Sequence, residues 1–135
     1  MTAANARFPA PAGSQLVMLA NAALFAAGAV LHLGVPLGPL AEPRIVAAAV
    51  TETVCALALT AGALTPLYAP RLGELGPALG NVVSLLGIAL TVIALALGAG
   101  PRTAAIDVAY AVTTVLAVTS LWLLLSENRA VRQDE

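Results

Sequence analysis

Three ionisable side chains interrupt the long apolar runs of this sequence, Glu52 and Asp107 inside them and His32 near the end of the first, and two arginines, Arg44 and Arg102, stand close to them. A carboxylate beside an imidazole can exchange a proton, and a phenol such as Tyr110 adds a hydrogen-bond donor. Those residue types suit a polar cavity that binds a small molecule, a proton or a quinone headgroup. They equally suit interhelical ion pairs that fix the register of packed helices. Glu52 carries the most weight, because a charge at mid-bilayer costs roughly 2.5–3.5 kcal/mol and has no obligatory structural task. Asp107 has a simpler explanation, since an acid in the first turn of a helix is stabilised by the helix dipole. A backbone carbonyl would satisfy His32, and lipid headgroups would satisfy Arg44 and Arg102.

Several chemistries lack their parts. One histidine and one cysteine cannot supply a closed zinc site, and a bis-histidine haem would need a second chain. Ser14, Ser84, Ser120 and Ser126 have no histidine and acid at matching depth, so nucleophilic hydrolysis is unsupported. No catalytic residue and no metal ligand is therefore assigned, and the balance leans away from an enzyme. Cys55 reads as a small apolar filler, and Asn21 and Asn81 as interhelical hydrogen-bonders.

The elements that must position these residues follow from hydropathy. Apolar runs cover 16–35, 44–65, 78–98 and 103–125, each about the 20 residues that an α-helix needs to cross a hydrocarbon core. Hydrophobic residues make up 60% of the chain and charged ones 10%, too few charges to cover a soluble domain of 135 residues. The expected fold is an all-α integral membrane four-helix bundle. Residues 1–15 are expected to form a mobile or interfacial tail, and 126–135 a polar C-terminal tail. The first run is longer than the apolar core of a typical signal peptide, which favours a retained span. With no basic stripe and only 2 Phe, 2 Tyr and 1 Trp, nucleic acid is set aside as a partner.

Pro43 and Pro101 are expected to open the second and fourth helices. Pro43-Arg44 and Pro101-Arg102 start the second helix of each hairpin in the same way, a hint of duplication. Arg7, Arg71, Arg129 and Arg132 fall on one side and Arg44 and Arg102 on the other, which sets both termini in the cytoplasm. His32, Arg44, Glu52, Arg102, Asp107 and Tyr110 then share the outer half of the bundle. Glu52 would lie about 12 Å from the outer end of its helix, and His32 and Asp107 about 5 Å in. Small residues mark the packed faces: Gly80, Ser84, Gly87, Thr91, Ala94 and Gly98 in the third run, and Asp107, Tyr110, Thr114 and Ala117 in the fourth. The basic residues are all arginine, with no lysine, a bias that points to a GC-rich, bacterial source and an inner-membrane location.

The run from Glu52 through Leu57, Leu59 and Gly62 to Thr65 resembles the second helix of the DoxX-like family of four-span bacterial membrane proteins. Gly98-Ala99-Gly100-Pro101 leading to Asp107 is similar to that family's glycine-rich turn and the acid at the head of its fourth helix. Phe25, Gly28 and His32 fall where the family shows Phe, Gly and a basic residue. The chain departs from the pattern in lacking a basic residue at the start of its first helix. The resemblance implies a four-helix bundle beside membrane redox, sulfur or thiol metabolism, as a partner subunit, with quinone as the cofactor to consider.

Two functions are expected. The first is a non-catalytic accessory subunit whose small-residue faces pack with a partner membrane subunit or with a second copy. The alternative is a small-molecule, quinone or proton-coupled binding or transport protein built around Glu52.

Overall fold

A computed structural model describes residues 12–133 and holds four helices: α1 (Gly13–His32), α2 (Val46–Tyr68), α3 (Leu75–Ala96) and α4 (Ala104–Gln133). A 3-10 turn at Pro70–Leu72 joins α2 to α3. All four are long and apolar enough to cross a membrane, so the chain is an all-α membrane bundle as its hydropathy predicts.

The helix ends differ from the apolar runs for local reasons. α1 begins at Gly13, inside the stretch expected to be a tail. Its first turn is held by Gln15 Oε1, which accepts the Ala12 N–H at 3.0 Å, and by Glu127 Oε1, which accepts the Ser14 N–H at 3.3 Å. The rest of that expected tail, 1–11, lies outside the described residues. α1 is closed at Gly34 (φ +88°), two residues past its last helical residue, where the Gly34 N–H bonds Leu31 O and the Val35 N–H bonds Val30 O. α3 closes in the same way at Gly98 (φ +77°), with bonds from Gly98 to Leu95 O and from Ala99 to Ala94 O. These are Schellman closures, which need the left-handed backbone that glycine adopts without strain.

Pro43 and Pro101 do not open helices as expected. α2 starts at Val46 and α4 at Ala104, three residues past each proline and two past the arginine that follows it. Pro66, one residue past the second apolar run, sits in the last turn of α2, which runs on to Tyr68. The polar stretch expected as a C-terminal tail continues α4 as helix to Gln133.

The helices form a ring in chain order, with α4 returning to α1, and α3 and α4 make the loosest of the four seams. α2 and α3 cross most closely where glycines remove the side chains. A Cβ on Gly80 would stand 2.7 Å from the Ala58 carbonyl, and one on Gly62 would stand 2.7 Å from the Gly76 carbonyl. Gly80, Ser84 and Gly87 of the small-residue stripe of α3 are thus buried inside the chain, whereas Gly98, past the end of the helix, is exposed. Met18, Leu59, Cys55, Phe25 and Ile88 fill the core. Leu57, Leu90, Val108, Leu79 and Trp122 point outward, more than 60% exposed, as side chains that meet lipid do.

Polar groups bind the end of the bundle opposite His32. Ser14 Oγ donates to Glu127 Oε2 at 2.6 Å, Ser120 Oγ to the Ser14 carbonyl at 3.3 Å, and Asn81 Nδ2 to Ser120 Oγ at 3.0 Å. Asn21 Nδ2 donates to the Thr113 carbonyl at 3.2 Å. Both asparagines therefore bridge helices, as their sequence positions suggested.

Candidate functional site

Glu52 lies in the second turn of α2, and its side chain turns inward between α1 and α4. His32, the last residue of α1, places Nδ1 at 2.8 Å from Glu52 Oε2. Tyr110, on α4, donates its hydroxyl to Glu52 Oε1 at 3.3 Å. All three are buried, at 5%, 5% and 8% exposure. One carboxyl group is therefore held from two helices at once.

Local backbone features set this geometry. The Ile45 N–H donates to the His32 carbonyl at 2.8 Å, so the end of α1 is tied to the residue preceding α2. Gly28, one turn before His32 on the same face of α1, makes room for the carboxyl: a Cβ there would stand 2.8 Å from Glu52 Oε1. Any other residue at 28 would displace the acid. Gly28 belongs to the Phe25, Gly28, His32 motif, but this steric task is not visible in the sequence. The signal available was the spacing of four between Gly28 and His32.

Electrostatically the cluster needs only one proton to be neutral. With that proton on His32 the pair is a carboxylate beside an imidazolium; with it on Glu52 both groups are uncharged. Either arrangement avoids a net charge in the apolar interior, where a lone ion would be costly.

Three cavities surround the cluster, and Tyr110 walls each of them. One of about 250 Å³ lies among α2, α3 and α4 and is lined by His32, Thr51, Thr91, Leu95 and Tyr110. A second, about 440 Å³, follows the loose α3–α4 seam past Val92, Leu95, Arg102, Asp107 and Tyr110. The third, about 490 Å³, lies between α1 and α4 and reaches Gly28, His32, Glu52 and Glu42. Their walls are mainly aliphatic, so the polar atoms of the cluster are few and fixed, as in small-molecule sites generally.

The six residues singled out by sequence separate into two groups and an outlier. His32, Glu52 and Tyr110 converge. Arg102 and Asp107 pair with each other, Arg102 Nε lying 3.0 Å from both carboxylate oxygens. That pair is 67% and 45% exposed at the side chains, so it sits at the rim and contributes little to stability. Asp107 is thus off the buried face expected for it; the inward line of α4 is Ile106, Tyr110, Thr113, Ala117 and Ser120. Arg44 is exposed and lines none of the three cavities. Cys55, one turn beyond Glu52, packs beneath Gly87 and is 1% exposed, in keeping with a filler. Ser14 has an acid partner in Glu127, but neither belongs to the His32 cluster. Thr91, which sequence reasoning did not connect to Tyr110, shares a cavity with it from α3.

Comparison with family models, curated proteins and solved structures yields no match for this chain.

Proposed function

We propose that this small multi-pass membrane protein binds a lipid-soluble small molecule whose polar head is received by His32, Glu52 and Tyr110. The observation that carries the reading is the buried carboxyl with two hydrogen-bond partners, walled by cavities on several sides. A carbonyl or hydroxyl head would exchange hydrogen bonds with Tyr110 and the Glu52–His32 pair, while its apolar body would occupy the aliphatic cavities. A quinone meets that description, as it does under the DoxX-like resemblance of α2 and of the turn before α4. The site lies in the outer leaflet if both termini are cytoplasmic, the orientation that the arginine distribution favours. The accessory-subunit reading, the first expectation, rests on small-residue faces for a partner, and on α3 Gly80 and Gly87 are taken up against α2.

The test is binding of a short-tailed benzoquinone to the purified protein in detergent, read by native mass spectrometry. We expect Glu52→Gln, which removes the proton that the carboxyl and His32 share, to weaken binding by at least about tenfold. Equal binding by wild type and Glu52→Gln overturns the site. A second polypeptide retained on gentle extraction, with no small molecule, would return the function to a partner subunit.

A further inference from the structure

The imidazole of His32 has two nitrogens, and the Glu52 pair uses one of them. Nδ1 meets Glu52 Oε2 at 2.8 Å, and Nε2 has no hydrogen-bond partner among the described residues. The buried side-chain polar atoms that are both fully enclosed and unpartnered among those residues are the oxygens of Asn21 and Asn81 alone. His32 is only 5% exposed, yet its Nε2 therefore has open space beside it. The cavity of about 250 Å³ among α2, α3 and α4 supplies that space. His32 lines it and Glu52 does not, so the ring meets it with the edge turned away from the acid.

The charge of the pair decides whether Nε2 donates or accepts. With the shared proton on Glu52, the carboxyl O–H donates to Nδ1, and the ring hydrogen must lie on Nε2. With that proton on His32, the imidazolium carries a hydrogen on both nitrogens. Only a carboxylate beside a neutral imidazole protonated at Nδ1 leaves Nε2 bare, and that state puts an uncompensated negative charge in the apolar interior. No arginine or lysine lines either cavity that His32 borders, so nothing there offsets it. Nε2 is thus an N–H donor facing the cavity. The other side-chain hydrogens on that wall are committed: Thr51 donates to the Ala47 carbonyl at 3.0 Å, Thr91 to the Gly87 carbonyl at 2.9 Å and Tyr110 to Glu52 at 3.3 Å.

We propose that His32 Nε2–H holds the head of the ligand, and that the site for this reason takes a carbonyl head, as in an oxidised quinone, in preference to the hydroxyl head of its reduced form. This rests on the reading of the site as one for a lipid-soluble small molecule, and it names which head that molecule carries. A carbonyl accepts from Nε2–H through either lone pair and brings no hydrogen of its own. A phenolic hydroxyl accepts weakly, because its lone pair is drawn into its ring, and its hydrogen needs a further acceptor. A cavity of about 150 Å³ already holds benzene, so the space beside Nε2 accommodates a ring with small substituents.

His32 is the single histidine of the chain, so labelling histidine with nitrogen-15 reports on this ring alone. In a long-range proton–nitrogen correlation spectrum of the full chain in detergent, Nε2 is expected to be protonated and to shift when a short-tailed benzoquinone is added. In native mass spectrometry the benzoquinone is expected to bind at least about tenfold more tightly than its hydroquinone kept reduced under nitrogen. His32→Asn places an amide near Nδ1, where it can hold Glu52, and nothing at Nε2. It is expected to lose that preference and at least about tenfold in benzoquinone affinity. Should that variant fail to fold, the nitrogen spectrum and the comparison of the two ring forms still decide. The proposal is overturned if Nε2 carries no hydrogen, if the hydroquinone binds as well as the benzoquinone, or if His32→Asn binds like wild type. Wild type that binds neither form removes the small-molecule reading as well. Binding that falls in Glu52→Gln but ignores the oxidation state of the ring removes the carbonyl preference alone.

Discussion

Glu52 makes two hydrogen bonds in surroundings that offer few alternatives, and the two partners are not equivalent. His32 can share the proton that keeps the pair neutral, whereas Tyr110 supplies a neutral hydrogen bond at a longer distance. Thermal unfolding in detergent should therefore rank the variants. His32→Ala, which strands the acid, is expected to cost about 3–5 kcal/mol. Tyr110→Phe is expected to cost about 0.5–1.5 kcal/mol. Gly28→Ala tests the space beside the carboxyl: displacing Glu52 should cost about 1–3 kcal/mol and weaken benzoquinone binding together with stability. At this scale the sequence was legible for residue types and much less so for contacts. Glu52, His32 and Tyr110 announced themselves as polar groups in apolar runs. Asp107 and Arg102 did too, yet they satisfy each other five residues apart at the rim, a local pairing that depth alone does not reveal. Glycine's task at 28 depends on a side chain 24 residues away, and no local pattern encodes it.

Among the helices, the α2–α3 crossing is the least forgiving. At Gly80 an added methyl would meet the backbone carbonyl of Ala58, which cannot rotate away, whereas at Gly38 (φ +62°) it would meet nothing within 4 Å. Gly80→Ala is thus expected to lower stability by about 1–3 kcal/mol through steric overpacking. Gly38→Ala should cost about 1–2 kcal/mol, from backbone strain alone. Denaturation in a sodium dodecyl sulfate titration would compare them. Hydropathy located all four helices because lipid demands long uninterrupted apolar segments. It misplaced their ends because the ends are set by other means: Schellman glycines, a glutamate contributed by a distant helix, and prolines that stand ahead of the first turn. α4 outruns its apolar segment for the same reason, since helix and hydrocarbon need not end together. The shared offsets of α2 and α4 from their Pro-Arg pairs also place Glu52 and Tyr110 at the same position in the two hairpins, where they bond each other.

Across the whole molecule, chain ends that looked peripheral in sequence close the ring. Ser14 and Glu127 lie 113 residues apart and join α1 to α4 by a 2.6 Å bond. A double-mutant cycle on Ser14→Ala and Glu127→Ala should return a coupling of about 1.5–3 kcal/mol, as expected for a hydrogen bond to a charged group. A coupling near zero would mean that the bundle closes without them. The His32–Glu52 contact has a consequence for biogenesis. Its two members belong to the first hairpin, so the acid can meet its partner before α3 and α4 have been synthesised. Leaving the translocon alone, α2 would present its carboxyl to lipid; leaving beside α1, it enters as a neutral pair whose loop is already clasped by Ile45. Insertion of α2 should then depend on α1. Replacing His32 with leucine should lower the inserted fraction of α2 in a glycosylation-mapping assay, although the change makes α1 more hydrophobic. The order in which the ribosome delivers the helices is, on this geometry, part of how a costly charge reaches the interior of a membrane.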